Sequence, residues 1–117
     1  MESNYKVVNV PLKKDNENLK KVARLEQISR QNSSSGSQRL REVITSLINN
    51  CNKIYVAKLK DEIIGCITYK KGDGDSLSMD SYYIADRFKG NGVGRAIRAR
   101  AIRDTTKENY KARLVIQ

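Results

Sequence analysis

The sequence predicts a single α+β domain spanning residues 1–117, with helices flanking a mostly antiparallel sheet. Three observations predict it. Two stretches of helical periodicity come early, a run of three strand-like segments follows without a helix between them, and a glycine-rich loop then opens a last helix. Segregated helices and strands of this kind indicate α+β packing, not a parallel alternating fold. A chain of 117 residues is long enough for one core and too short for two.

The elements follow in order. YKVVNV, Tyr5 to Val10, is rich in β-branched residues and is closed by Pro11, which predicts a first strand. From Asp15 onward, Leu19, Val22, Leu25 and Ile28 recur at every third residue between charged residues, which predicts a helix with one apolar stripe. NSSSGS at 32–37 breaks that helix, and Ser35 with Gln38 has the form of a capping box for the next one. Leu40, Val43, Ile44, Leu47, Ile48 and Cys51 then give the cleanest helical periodicity in the chain. KIYVAKL and IIGCITYKK, separated by Lys60-Asp61-Glu62, read as an antiparallel hairpin. KGDGDS marks a second turn. In the strand LSMDSYYI, strict alternation places Leu77, Met79, Ser81 and Tyr83 on one face and Ser78, Asp80, Tyr82 and Ile84 on the other. GRAIRARAIRDTTKENYKA is free of proline and glycine after Gly94 and predicts a helix, and RLVIQ predicts a closing strand.

Composition narrows the chemistry. The 23 Lys and Arg against 13 Asp and Glu give a formal charge of +10, which fits an anionic partner: nucleic acid, an acidic protein or a phosphorylated ligand. No histidine is present, so histidine acid–base catalysis and mixed zinc sites are excluded. Cys51 and Cys66 follow no metal-ligand spacing, so no metal is expected and both thiols read as reduced, half-buried packing residues. No apolar run is long enough to span a bilayer, and nothing behind Met1 resembles a signal peptide. The expectation is a soluble, cytoplasmic protein without a membrane partner.

The chemistry concentrates in FKGNGVGR, residues 88–95, which holds three of the seven glycines. Glycines before a helix permit unusual φ values and close backbone approach, and the helix start presents free N–H groups along a positive dipole: a cradle for phosphate. The P-loop reading fails, because no Gly-Lys pair occurs in the chain. The dinucleotide fingerprint fails too: the sixth position is Arg95 counting from Gly90 and Ile97 counting from Gly92, and the preceding strands read as antiparallel.

The stretch IADRFKGNGVGRAI resembles the acetyl-CoA-binding segment of the GNAT superfamily of N-acetyltransferases, whose signature is Gln/Arg-x-x-Gly-x-Gly/Ala between the fourth strand and third helix. Here it runs Lys89-Gly90-Asn91-Gly92-Val93-Gly94, followed by Arg95. Lys89 stands in place of the usual Arg or Gln; a register from Arg87 keeps the Arg and gives up Gly94. Asp86 replaces a frequent proline. The order of elements also resembles the family, without its usual C-terminal helix and strands, on which a tyrosine general acid commonly sits.

The resemblance implies acetyl transfer from acetyl-CoA to an amine of a protein or small molecule, by direct attack in a ternary complex. It implies cofactor contacts at Tyr83, Ile84, Ala85, Lys89, Gly90, Asn91, Gly92, Val93, Gly94 and Arg95, with the Ile84 amide nearest the carbonyl. Asp80 is either the general base or a salt-bridged strand residue, and Tyr82 is a candidate donor to the thiolate. The exposed edge of RLVIQ suggests a homodimer. The alternative is a catalytically silent, basic binding module that contacts nucleic acid or a protein.

Overall fold

The computed structural model describes residues 5–31, 39–72, 76–107 and 111–112. The architecture is α+β, and the chain divides into two compact units: Val10–Asn50, and the residues flanking it, up to Asn9 and from Cys51 onward.

The first unit is a helix pair. Helix α1 (Glu17–Gln31) starts where the Asn16 side chain accepts hydrogen bonds from the backbone N–H of Asn18 at 3.0 Å and Leu19 at 3.1 Å, an N-cap that satisfies two orphan donors. Helix α2 (Leu40–Asn50) packs on it, and the two bury Leu19, Val22 and Ala23 with Val43, Ile44 and Leu47. Ile28 departs from the expected stripe, being 58% exposed. A spacing of three falls short of the 3.6-residue turn, so the ninth residue after Leu19 lies about 180° away from it. Helix α2 begins with Arg39 accepting the first backbone bonds from Glu42 and Val43; the expected capping box at Ser35 and Gln38 lies outside the described residues.

The second unit is a five-stranded sheet in the order β1-β2-β3-β4-β5: β1 (Lys6–Asn9), β2 (Lys53–Leu59), β3 (Glu62–Lys71), β4 (Ser76–Ile84) and β5 (Lys111–Ala112). The first four pair antiparallel, and β5 joins β4 in parallel, Ser76 opposite Lys111 and Leu77 opposite Ala112. Lys111 and Ala112 were expected in the last helix; tertiary pairing with β4 overrides their local preference. The expected strand at 113–117 and the turn at Asp73 and Asp75 lie outside the described residues. Both cysteines are buried, more deeply than the half-buried expectation, and neither forms a disulfide.

Helix α3 (Val93–Lys107) lies on one face of this sheet. It buries Val93, Ile97 and Ala101, spaced by four, against Tyr55 and Ala57 of β2, Ile64, Ile67 and Tyr69 of β3, and Leu77 and Ile84 of β4. Each fully buried aliphatic side chain here contributes about 1.5–3 kcal/mol relative to exposure. Behind the contact, Arg100 donates to Asp104 and to the carbonyl of Val7, both at 2.9 Å, and the Tyr55 hydroxyl reaches Asp104 at 3.2 Å, so one carboxylate ties α3 to β2 while its arginine reaches β1.

Strand β4 does not alternate strictly. Thr68 lies opposite Ser81 but Tyr69 lies opposite Met79, so Asp80 is an extra residue in a β-bulge. The bulge corrects the expected faces. Leu77 and Met79 before it share the α3 side with Tyr82 and Ile84 after it, while Ser81 and Tyr83 turn to the opposite side. Thr68, fully buried, stitches the irregularity: its Oγ1 accepts from the backbone N–H of Ser81 at 3.0 Å and lies 2.6 Å from the Ser81 hydroxyl.

Candidate active site

The site begins where β4 ends. The backbone N–H of Ala85 donates to Ile64 at 2.8 Å, still within the ladder to β3. Alternation then turns the N–H and C=O groups of Tyr82 and Ile84 to the other edge of the strand. Among the described residues β5 covers only Ser76 and Leu77 on that edge, so Tyr82 and Ile84 present backbone groups with no strand opposite.

The chain next makes a 3₁₀ turn, Asp86–Phe88, and the loop to α3. Two ion pairs hold this segment: Arg87 donates to Glu62 of β3 at 2.6 Å, and Lys89 lies 2.9 Å from Asp86. The hydrogen bond from Arg87 holds the Glu62 carboxyl below its ordinary range, and Lys89 does the same for Asp86. The Arg87 guanidinium also lies over the Phe88 ring, 4.9 Å from its centre.

The three loop glycines serve different ends. Gly90 and Gly92 have φ of +82° and +80°, a backbone that L side chains adopt only with strain, and a Cβ on either would meet nothing within 4 Å. Gly94 is helical, and a Cβ there would stand 2.5 Å from the Tyr82 hydroxyl oxygen. Two glycines thus shape an open cradle, and the third admits the tyrosine ring beside the helix.

Helix α3 starts with an electrostatic imbalance. Its first backbone bond runs from Ala96 to Gly92 at 3.0 Å, which leaves the N–H groups of Val93, Gly94 and Arg95 ahead of the ladder. Its first turn has no acidic residue and contains Arg95, a cation at the positive end of the dipole. An anion at this place would satisfy the donors and relieve the repulsion together.

The segment lines a cleft of about 370 Å³ formed by Tyr82, Ile84, Phe88, Lys89, Gly90, Gly92, Val93, Gly94, Arg95 and Arg98. Eight of the twelve expected site residues meet there. Asp80, Tyr83, Ala85 and Asn91 do not line it. Asp80 is exposed at the bulge, with its carboxylate 3.3 Å from the Lys70 amine. Tyr83 is opposite Cys66 on the other face, Ala85 is buried, and Asn91 is exposed at the loop tip. Phe88 and Arg98 are the additions. Arg98 was legible in principle: it follows Gly94 by four residues and Arg95 by three, so all three share a helix face.

The GNAT family model, described as an acetyltransferase family, matches residues 19–117. Solved structures with the same fold include an aminoglycoside acetyltransferase from an uncultured soil metagenomic sample, crystallised with sisomicin (TM-score 0.75, 14% identity, covering 97% of this chain and 76% of that one). A ribosomal-protein-alanine N-acetyltransferase from Brucella melitensis biovar Abortus superposes with a TM-score of 0.70 at 12% identity, covering 97% and 79%. A Staphylococcus aureus GNAT family protein matches at 0.69 and 16% identity, covering 97% and 98%. No curated protein sequence matches the chain significantly.

Proposed function

Because the chain belongs to the acetyltransferase (GNAT) family, we propose that it transfers an acetyl group from acetyl-CoA to an amine of a protein or small molecule, by direct attack in a ternary complex. Residues 1–117 act in this reading as one acetyltransferase-like domain. The observation that carries it is the start of α3: three N–H groups ahead of the ladder, no acid in the first turn, Arg95 beside them, and an open glycine cradle. Such a combination is costly for an empty helix end and favourable for one that holds a pyrophosphate.

Acetyl-CoA supplies the acetyl group as a thioester. The N–H groups of Val93, Gly94 and Arg95 hold its phosphates, with Lys89, Arg95 and Arg98 adding positive charge at the rim. The edge of β4 at Tyr82 and Ile84 receives the pantetheine arm as an added strand, with the Ile84 N–H directed to the carbonyl. Tyr83, Ala85 and Asn91 support this segment from outside the cleft lining. Ile84 and Val93 give it an apolar wall that excludes water. Asp80 takes the proton from the attacking amine, and the Tyr82 hydroxyl returns one to the departing sulfur.

Calorimetry with acetyl-CoA, followed by a thiol-release assay across an amine panel, tests the reading. Saturable binding with turnover is expected; absence of binding at millimolar ligand sinks it. One observation favours a second reading, a silent binding module: Asp80 is already paired with Lys70. Binding without turnover on any amine would select that alternative. Asp80→Asn should lower turnover by about 10²–10⁴-fold, the usual contribution of a general base, and leave acetyl-CoA affinity unchanged. Unaltered turnover removes Asp80 from the mechanism.

A further inference from the structure

A second cleft, of about 380 Å³, is lined by Lys6 and Val8 of β1, Lys58 of β2 and Lys60 of the β2–β3 turn. It shares no lining residue with the cleft at the glycine loop. Val7 packs into the α3-side core and lies opposite Ala57, so its neighbours Lys6 and Val8, together with Lys58, leave the other face of the sheet.

Three features of this place run against what stability alone favours. Lys6 is the register partner of Lys58, so two ammonium groups project from directly opposed positions on one face, a destabilising cross-strand pair. Lys60 has φ +56°, a left-handed backbone at which glycine or asparagine is less strained. None of the three lysines has a carboxylate partner among the described residues, whereas Lys20, Lys70 and Lys89 each have one. Local rules broken together around one concavity are characteristic of functional sites.

We propose that this cleft binds a small anion carrying several phosphate groups. Lysine ammonium groups act on phosphate as mobile point charges, and three of them converge here on a lining without a carboxylate. The volume is that of a small-ligand pocket. No aromatic ring lines it, so recognition is of charge and not of a stacked base. A bound polyanion removes the Lys6–Lys58 repulsion, which offsets the cost of keeping the three lysines together. The phosphates belong either to a free polyphosphate or to the phosphate arm of a nucleotide.

The test is an amide-shift titration by NMR at about 150 mM salt, where surface charge effects beyond roughly 8 Å are screened. Tripolyphosphate is one probe and acetyl-CoA the other. Saturable shifts at Lys6, Val8, Lys58 and Lys60 are expected with tripolyphosphate; the same shifts with acetyl-CoA assign the site to a nucleotide's phosphates. Lys58→Glu should weaken binding roughly tenfold. It should also raise Tm by about 2–4 °C, because it turns a like-charge pair into an opposite-charge pair. Lys14→Glu changes net charge equally at an exposed position outside the cleft and should leave the affinity within about twofold. Shifts confined to residues 88–95 with both probes, or equal weakening by the two variants, overturn the proposal.

Discussion

Gly92 and Gly94 are two residues apart and are glycine for opposite reasons, so alanine at each should behave differently. At Gly92 there is space but the backbone is left-handed, with φ +80°; Gly92→Ala should cost about 1–2 kcal/mol of stability. At Gly94 the backbone is helical and alanine gains about 1 kcal/mol of helix propensity, but its Cβ would collide with the Tyr82 hydroxyl at 2.5 Å. That ring is 51% exposed and free to swing aside. Gly94→Ala should therefore leave stability near the wild-type value in urea denaturation while moving Tyr82 in the cleft and weakening acetyl-CoA binding. Combining it with Tyr82→Phe removes the closest contact and should recover part of the affinity. If Gly94→Ala instead unfolds the protein as readily as Gly92→Ala, the ring is held more firmly than its exposure indicates.

Two elements carry consequences beyond single residues. The bulge in β4 reverses which side chains face α3, and Thr68 supports it by taking the place of a backbone acceptor for Ser81. Thr68→Val keeps the shape and leaves the Ser81 N–H without that acceptor, at an expected cost of about 1–3 kcal/mol; amide exchange at Ser81 should accelerate in parallel. The second is the tie between α3 and the sheet through Asp104. Burial pushes the Asp104 carboxyl up, but the Arg100 hydrogen bond and charge, with the Tyr55 hydroxyl and Arg103, together hold it below the ordinary value of 3.8. A carboxyl depressed in the folded state contributes stability that is present above its unfolded value and lost as pH falls through the folded one. Stability should thus decline below about pH 3.8, and Asp104→Asn should flatten that decline in a pH series of denaturation curves. These elements also mark what the sequence discloses. The order of strands and helices was legible, because the 3.6-residue periodicity survives in α2 and because β2 and β3 are short apolar runs, buried almost throughout, on either side of a polar turn. The bulge was not, since Ser, Met, Asp, Ser and Tyr in β4 have no hydrophobic alternation sharp enough to reveal a lost register. The Asp104 network was hidden for another reason: Tyr55 and Val7 are distant in sequence from the helix they meet. In the site, the glycine loop was legible as a phosphate cradle from three alternating glycines ahead of a helix, and its link to acetyl-CoA only through the family resemblance, whereas the placement of Asp80 and Tyr83 relative to the cleft depended on the unseen bulge.

At the scale of the molecule, the proposed single domain requires that the two compact units unfold together. The helix pair has roughly forty residues, a size at which an independent core is marginal without disulfides or metals. Helices of 15 and 11 residues are likewise near the limit of stability on their own. The unit Val10–Asn50 should therefore not persist when the rest unfolds. The composition provides a clean probe of this. All six tyrosines and the one phenylalanine fall outside Val10–Asn50, so tyrosine emission reports only on the unit that contains the sheet. Helical ellipticity at 222 nm reports on α1 and α2 as well as α3. In urea, the tyrosine and ellipticity transitions should coincide in midpoint and slope, as expected of one cooperative domain. An ellipticity transition that precedes the tyrosine transition would mean that the helix pair melts alone, and the single-domain reading would then give way to two separately stable parts.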